Sequence, residues 1–292
     1  MTRIALIGLG EVGRVLAEDL LARGDVTLSA WDPEFATRGS PPARAVAELT
    51  IRPGRDAADA VRGAELVICA VTAAQAVEAA RAAAAAATYL DLNSASPAAK
   101  IEASKLVEAA GGVYVEAAVM SPIEPRRIAA PMLLGGPHAA AFAARAQALG
   151  LTGARFYSET LGKPAAAKLC RSVIVKGMEA LLTESMLAAR SYGVEADVLA
   201  SLGDLFPGPD WRTLSRYMIS RSVEHGVRRA EEMGEAARTV ADAGIEPLMS
   251  QACVERQRWA PQFKAQLVHQ DLEPMLDAML QQHRARPDRK AV

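Results

Sequence analysis

Two groups of residues have types and spacings suited to chemistry. In the first, Gly8-Leu9-Gly10-Glu11-Val12-Gly13 follows the short apolar run 3–7 and opens a segment with helical spacing at Val15, Leu16, Leu20 and Leu21. Strand, GxGxxG and helix in this order make a phosphate cradle. The glycines permit a tight turn, close approach of a pyrophosphate and close packing of helix on strand. The helix N-terminus then turns unpaired N–H groups toward the anion. A second apolar run, 26–31, ends at Asp32, near the spacing of a carboxylate that binds an adenosine ribose. The pair reads as a dinucleotide site, the alternative being a flavodoxin-like turn with no cofactor. Asp32 would accept hydrogen bonds from a ribose 2′-OH and repel a 2′-phosphate, which favours NAD, while Arg38 and Arg44 close behind it admit NADP.

The second group lies on residues 162–192. Pro164 suits the first turn of a helix, and no further proline occurs before Pro207. Leu169, Val173, Met178, Leu182 and Met186 recur at helical spacing, and Ile174, Leu181 and Leu187 carry the apolar surface most of the way round. Such a helix is expected to be buried. Lys168 stands near its start, with Ser172 one turn later and Lys176 one turn beyond. A charged side chain on a mostly apolar helix calls for a reason, the plainest being that it snorkels to solvent.

The elements that would position these groups alternate. Strands are expected at 49–51, 66–71, 89–92 and 113–119, and helices at 57–61, 75–86 and 97–110. Further strands at 132–134 and 155–157 would flank a helix at 139–149. Repeated strand and helix units imply an α/β Rossmann fold, a doubly wound parallel sheet. Ligands on such a sheet gather at the carboxyl ends of the strands, here Val71-Thr72, Asn93-Ser94 and Val119-Met120-Ser121. Beyond Tyr192 no strand signal remains. Helix-like segments at 195–205, 211–220, 223–243, 246–259 and 271–283 make the second part an all-α domain. The expected division is 1–160, an NAD(P)-binding domain, and 161–292, which begins with the long connecting helix.

With 292 residues the chain can build two cores, and with 51% apolar residues and a formal net charge of −1 it offers no electrostatic case for nucleic acid. No apolar run is long enough to span a membrane, and a strand at the very start leaves no room for a signal peptide. Cys69, Cys170 and Cys253 lack metal-ligand spacing and read as reduced core residues of a cytoplasmic protein. No metal is expected.

These residues resemble the β-hydroxyacid dehydrogenase superfamily, which includes 6-phosphogluconate and 3-hydroxyisobutyrate dehydrogenases. The resemblance covers the whole chain and rests on the GxGxxG at 8–13, on Asp91-Leu92-Asn93-Ser94-Ala95-Ser96-Pro97 in the place of the family's DxSTxxP segment, and on 162–168 in the place of its catalytic motif. Residues 225–233 are similar to a branch with a phosphogluconate dehydrogenase-like C-terminal domain. The resemblance implies an NAD(P)-dependent oxidoreductase of a small hydroxy acid or related carbonyl, working as a homodimer, with Lys168 as the acid/base group. Hydride addition to a carbonyl generates an alkoxide that must be protonated, and the reverse reaction needs a base for the hydroxyl. A lysine serves both if burial or a nearby cation, such as Arg171, favours its neutral form.

Ser172 shares the helical face of Lys168 and can hydrogen-bond a substrate. It stands where the family has asparagine, keeping a hydroxyl but losing the two-headed amide. The family's Ser-Gly-Gly substrate loop reads Ser121-Pro122-Ile123, which removes backbone N–H contacts for a carboxylate. Gly8, Leu9, Gly10, Glu11, Val12, Gly13, Asp32, Val71, Thr72 and Ser94 are the expected cofactor contacts; Asn93, Ser94 and Ser121 are expected at the substrate. His225, Arg228 and Arg229, at i, i+3 and i+4 of a helix, could hold an anionic substrate group, or form a salt-bridged surface with Glu224, Glu231, Glu232 and Glu235. Ser96-Pro97 suits a helix cap, Glu116 a structural role, and Arg126 and Arg127 solvated charges. Two other functions remain open: a module that binds NAD(P) without turnover, and an imine reductase, a group that typically lacks the lysine.

Overall fold

The computed structural model describes residues 1–285. It divides into two compact units, Met1–Leu169 and the residues from Cys170 on, and the division falls inside a helix rather than ahead of it.

The first unit alternates as the hydrophobic pattern dictates. Strands β1 (Thr2–Ile7), β2 (Val26–Trp31), β3 (Ile51–Pro53), β4 (Leu66–Cys69), β5 (Thr88–Asp91), β6 (Val113–Val119), β7 (Met132–Gly135) and β8 (Ala154–Ser158) form one sheet in the order β3-β2-β1-β4-β5-β6-β7-β8. Helices α1 (Glu11–Ala22), α2 (Pro41–Glu48), α3 (Ala57–Val61), α4 (Ala76–Ala82), α5 (Pro97–Ala109) and α6 (Ala139–Ala148) connect them. Alternate side chains of β1 point to opposite faces, so Ile4 and Leu6 join one apolar core with Leu16 and Leu20, while Ala5 and Ile7 join another with Val67 and Val107. The chain reverses between β1 and β4, which places the carboxyl ends of both beside a topological switch point.

The sheet departs from the all-parallel expectation at one place. β7 runs antiparallel to β6, because residues 120–131 return the chain without an α-helical crossover. β8 then lies parallel to β7 across α6. The return loop is held to α1 by Arg127, whose guanidinium donates to Glu18 (2.9 Å) and Asp19 (2.8 Å), so this arginine is a fixed tie rather than a solvated charge. Helix α2 was not anticipated, although Ser40 caps it by accepting from Ala43 N (3.2 Å) and Pro41 occupies its first turn.

The second unit is all helix among the described residues. Helix α7 (Lys163–Tyr192) enters it, followed by α8 (Glu195–Leu205), α9 (Trp211–Asp242), α10 (Leu248–Trp259), a 3-10 segment Ala260–Val268 and α11 (Leu272–Arg284). Met186, Ile219, Val223, Phe263, Met275, Leu276 and Met279 form its core. Three expectations are corrected here. The segments 211–220 and 223–243 are one helix, since neither proline nor a competing cap interrupts them. Helix α7 is not buried all round: Ile174 is 67% and Leu181 57% exposed, and Cys170 is exposed rather than in the core. Periodicity alone could not tell which part of a broad apolar surface would be covered. Cys69 and Cys253 are buried as expected.

Candidate active site

The GxGxxG residues divide their work as sterics require. Gly8 has φ +89°, and a Cβ there would stand 2.4 Å from the Ala70 carbonyl oxygen; a Cβ on Gly13 would stand 2.1 Å from the Gly8 carbonyl oxygen. These two close the turn and seat α1 on it. Gly10 differs, since a Cβ there meets nothing within 4 Å. That open side lies at the N-cap of α1, where no side chain caps the first N–H groups, including those of Glu11, Val12 and Gly13. A phosphate fits where a side chain at Gly10 would otherwise intrude. Asp32 closes the cradle from β2: its carboxylate accepts from Leu9 N and Glu34 N, both at 2.9 Å. Asp32 and the glycine loop are thus fixed to each other. Arg44 donates to the Gly39 carbonyl rather than turning toward Asp32.

The neighbouring strand ends carry Val71 and Thr72 after β4, and Asn93 and Ser94 after β5. Their loops are tied together. Asn93 Oδ1 accepts from Val71 N (2.7 Å), Asn93 Nδ2 donates to Cys69 Sγ (3.3 Å), and Asn93 N donates to Asp91 Oδ1 (2.8 Å). The amide expected at the substrate is therefore engaged by the protein on both of its heads. Burial, then the Asp91 carboxylate, pushes the Cys69 thiol up to about 12, so it remains a neutral partner of Asn93. Thr72 is exposed and caps nothing with its hydroxyl. Ser121, at the tip after β6, donates to the carbonyl of Pro122 (2.9 Å).

Helix α7 brings Lys168 to this edge. Its start is anchored by the buried Glu116 of β6, whose two carboxylate oxygens accept from Gly162 N (2.6 Å) and Ala165 N (2.7 Å). A carboxylate there complements the positive end of the helix. Burial, outweighing these contacts and the Lys100 charge, raises the Glu116 carboxyl above its usual range. Gly162, with φ +84°, packs so closely on Pro97 that a Cβ would lie 2.9 Å from that ring. Ser96 caps α5 through Ala99 N (3.4 Å). So fixed, Lys168 places its Nζ 2.6 Å from Ser94 Oγ. A proton-carrying amine and a hydroxyl meet at the end of β5, the edge where the sheet collects ligands.

Beneath that edge lie Lys100 and Tyr114, which the sequence did not single out. Lys100, 1% exposed on α5, forms an ion pair with Asp91 Oδ1 at 2.9 Å, and Tyr114 donates to Asp91 Oδ2 at 2.6 Å. The signal was available: Lys100 shares the buried face of α5 with Ala103, Ser104 and Val107.

The remaining expected residues belong to the second unit. Ser172 is buried and accepts from Lys176 Nζ (3.2 Å), which also pairs with Glu232 (2.7 Å). Arg229 is committed to Glu179, donating to both carboxylate oxygens at 2.7 and 2.6 Å, and Gln257 donates to the same carboxylate at 3.2 Å. Burial raises the Glu179 carboxyl, and Arg229 opposes the shift. His225 contacts Arg221 (2.7 Å) and Glu224 (3.2 Å). Burial and the Arg221 charge hold its pKa below the ordinary histidine value. Arg228 is exposed. The helical face expected to hold an anion is thus divided between an internal ion pair, a histidine disfavoured as a cation and one outward arginine.

Comparison with known proteins fits this geometry. Residues 3–162 match the family model for the NAD binding domain of 6-phosphogluconate dehydrogenase, and residues 189–260 match a domain of unknown function. Among solved structures, a conserved hypothetical protein from Sinorhizobium meliloti 1021 is 34% identical over 96% of both chains, with a TM-score of 0.74. The conserved protein MTH1747, described as structurally similar to 3-hydroxyacid dehydrogenases, is 29% identical over 96% of this chain and 98% of its own, with a TM-score of 0.68. Mycobacterium tuberculosis 3-hydroxyisobutyrate dehydrogenase, solved with L-serine, shares the fold at 21% identity over 98% of this chain and 100% of its own, with a TM-score of 0.68. No curated protein matches. Among the described residues no helix is long and apolar enough to cross a membrane. From the matched span and the cradle that occupies it, the chain belongs to the family of the 6-phosphogluconate dehydrogenase NAD-binding domain and is an NAD-binding dehydrogenase or reductase of the β-hydroxyacid dehydrogenase type.

Proposed function

We propose that the protein interconverts a small hydroxy acid, or a related hydroxy compound, and its carbonyl form, with Lys168 as the proton-transfer group. The observation that carries this reading is the 2.6 Å contact between Lys168 Nζ and Ser94 Oγ at the carboxyl edge of the sheet. A nicotinamide bound along the cradle supplies or accepts the hydride. The cradle itself binds and orients: Gly10 and the start of α1 take the phosphates, and Asp32 the adenosine ribose, which favours NAD over NADP. In the reducing direction the Lys168 ammonium gives its proton to the carbonyl oxygen as that oxygen gains charge. In the oxidising direction its neutral amine removes the hydroxyl proton. Ser94, which accepts from Lys168 Nζ, keeps the lysine aimed.

Ser172 is a supporting residue in this reading. Its hydroxyl already serves Lys176, so it does not replace the family's asparagine as a free substrate contact. Of the three residues expected at an anion, Arg228 is the exposed one, because Arg229 is committed to Glu179. The exposed Ile174 and Leu181 on α7 support a homodimer, and the protein is proposed to act in the cytoplasm.

Oxidation of NADH by a panel of small aldehydes, keto acids and cyclic imines, followed by absorbance, tests the proposal. Turnover with an aldehyde or keto acid is expected, with kcat lowered about 10²-fold or more in Lys168→Ala while the NADH dissociation constant stays the same. Wild-type kcat in that variant would remove the lysine from the chemistry. Turnover of imines alone would make the protein an imine reductase.

A further inference from the structure

We infer that the buried Asp91–Lys100 ion pair is a positioning device for Lys168, acting through the turn at Asn93 and Ser94. The inference rests on the proposed role of Lys168 and adds the residues that aim it. Asp91 and Lys100 are 0% and 1% exposed at the side chain, and a charge pair so placed must be compensated closely. The pair is tied to the turn that follows β5, and Tyr114 of β6 steadies its carboxylate from the neighbouring strand. Lys100 Nζ reaches both Asp91 Oδ1 (2.9 Å) and the Asp91 main-chain oxygen (3.1 Å), so the lysine grips the end of β5 at two points. The carboxylate in turn accepts from Tyr114 OH (2.6 Å) and from Asn93 N (2.8 Å). Asn93 then latches the turn to Val71 N on the neighbouring loop (2.7 Å). The next residue is Ser94, whose hydroxyl meets Lys168 at 2.6 Å. A loop tip would ordinarily be the most mobile part of a strand end. Here the charge pair and its hydrogen bonds remove that freedom, and a hydroxyl one residue beyond a fixed backbone inherits a fixed position. Lys100 touches none of the reacting atoms; it is a positioning residue.

Trace acetylation with acetic anhydride tests this without turnover. Lys168 labelling is read by mass spectrometry against Lys163, an exposed lysine on the same helix. In Lys100→Met the Ser94 hydroxyl drifts from Lys168, and the Lys168-to-Lys163 ratio is expected to rise about tenfold, the scale of one hydrogen bond to a charged group, and to match the ratio in Ser94→Ala. Asn93→Ala cuts the latch without leaving a buried charge alone, so it provides the same test where Lys100→Met does not fold. The double variant Asp91→Asn with Lys100→Met should return the ratio toward wild type, because an amide oxygen can still accept from Asn93 N. In Lys100→Met and Asn93→Ala kcat should fall as the ratio rises, and both should recover together in the double variant, while NADH affinity by fluorescence holds in Lys100→Met. A folded Lys100→Met or Asn93→Ala with the wild-type ratio overturns the inference. Full activity in Lys168→Ala would instead overturn the proton role of the lysine, and the labelling would remain readable.

Discussion

Both units bury ion pairs, but the pairs end differently. In the first, Lys100 and Asp91 pass their order outward through Asn93 to a hydroxyl and an amine at the edge of the sheet. In the second, Lys176 closes on Glu232 and Ser172, and Glu179 closes on Arg229 and Gln257, so the charges satisfy one another across helices α7, α9 and α10. A buried charge is therefore a poor marker of a site by itself. What marks the site is a hydrogen-bond chain whose last member is placed where a ligand can reach it.

The sharpest way to break this contrast is Arg229→Ala. Arg229 and Glu179 are 12% and 2% exposed at the side chain, and removing the arginine strands a buried carboxylate. Urea unfolding should show a loss of about 3–5 kcal/mol. The KM for an acidic substrate, measured on the folded fraction, should not change. A KM raised for an acid but not for its neutral analogue, at full stability, would make the second cluster a binding site after all.

A smaller effect separates fold from binding within the first unit. Gly13→Ala forces a methyl to within 2.1 Å of the Gly8 carbonyl oxygen and should cost about 1–3 kcal/mol, seen as a lower Tm without ligand. Gly10→Ala puts its methyl in open space, so Tm should hold and NADH binding should weaken. Equal behaviour of the two would mean that Gly10 does not face the cofactor.

The smallest effect concerns pH. Burial and Arg221 lower the His225 pKa, so between its ordinary value and the lowered one the unfolded chain binds a proton that the folded chain refuses. Stability from this residue is complete above the unfolded histidine pKa and declines as pH falls through the folded one. Glu116 and Glu179 act in the opposite sense: their raised carboxyls favour the fold below the usual carboxylate range, and that contribution is lost as pH rises through the folded values. Relative to wild type, His225→Gln is expected to lose less Tm on mild acidification, by the share that His225 contributes. A wild-type slope in that variant would mean that folding leaves the His225 pKa unchanged, and a steeper loss would mark a histidine held protonated in the folded protein, as an anion-binding one is.

What could be read in the sequence followed from local rules. Strand, glycine loop and helix at 8–13, Asp32 at the end of β2 and the change to all-helix after Tyr192 are set by periodicity and turn chemistry, which act over a few residues. Lys168 was visible as an oddity, and its role as a resemblance. The engagement of Asn93 was not legible, because it depends on Val71 and Cys69, which only the parallel register of β4 and β5 brings alongside. Arg229 failed as a free anion contact for the same reason: its partner Glu179 lies on another helix, far away in the chain. Tertiary pairing decides which polar groups remain available, and no spacing rule reports it. The antiparallel turn of β7 and the exposed face of α7 were hidden likewise, one by a connection without helical pattern, the other by a surface apolar on too many sides.

The division between the units, after Leu169, also bears on how such a chain could be reassembled in evolution. A recombination event that exchanged everything from Cys170 onward would leave the glycine cradle, the Asn93 latch, Ser94 and Lys168 on one inherited piece. The new partner would need to offer only a helix that continues in phase from Leu169. The cradle and the proposed proton-transfer group would pass on together, whatever helical unit followed them.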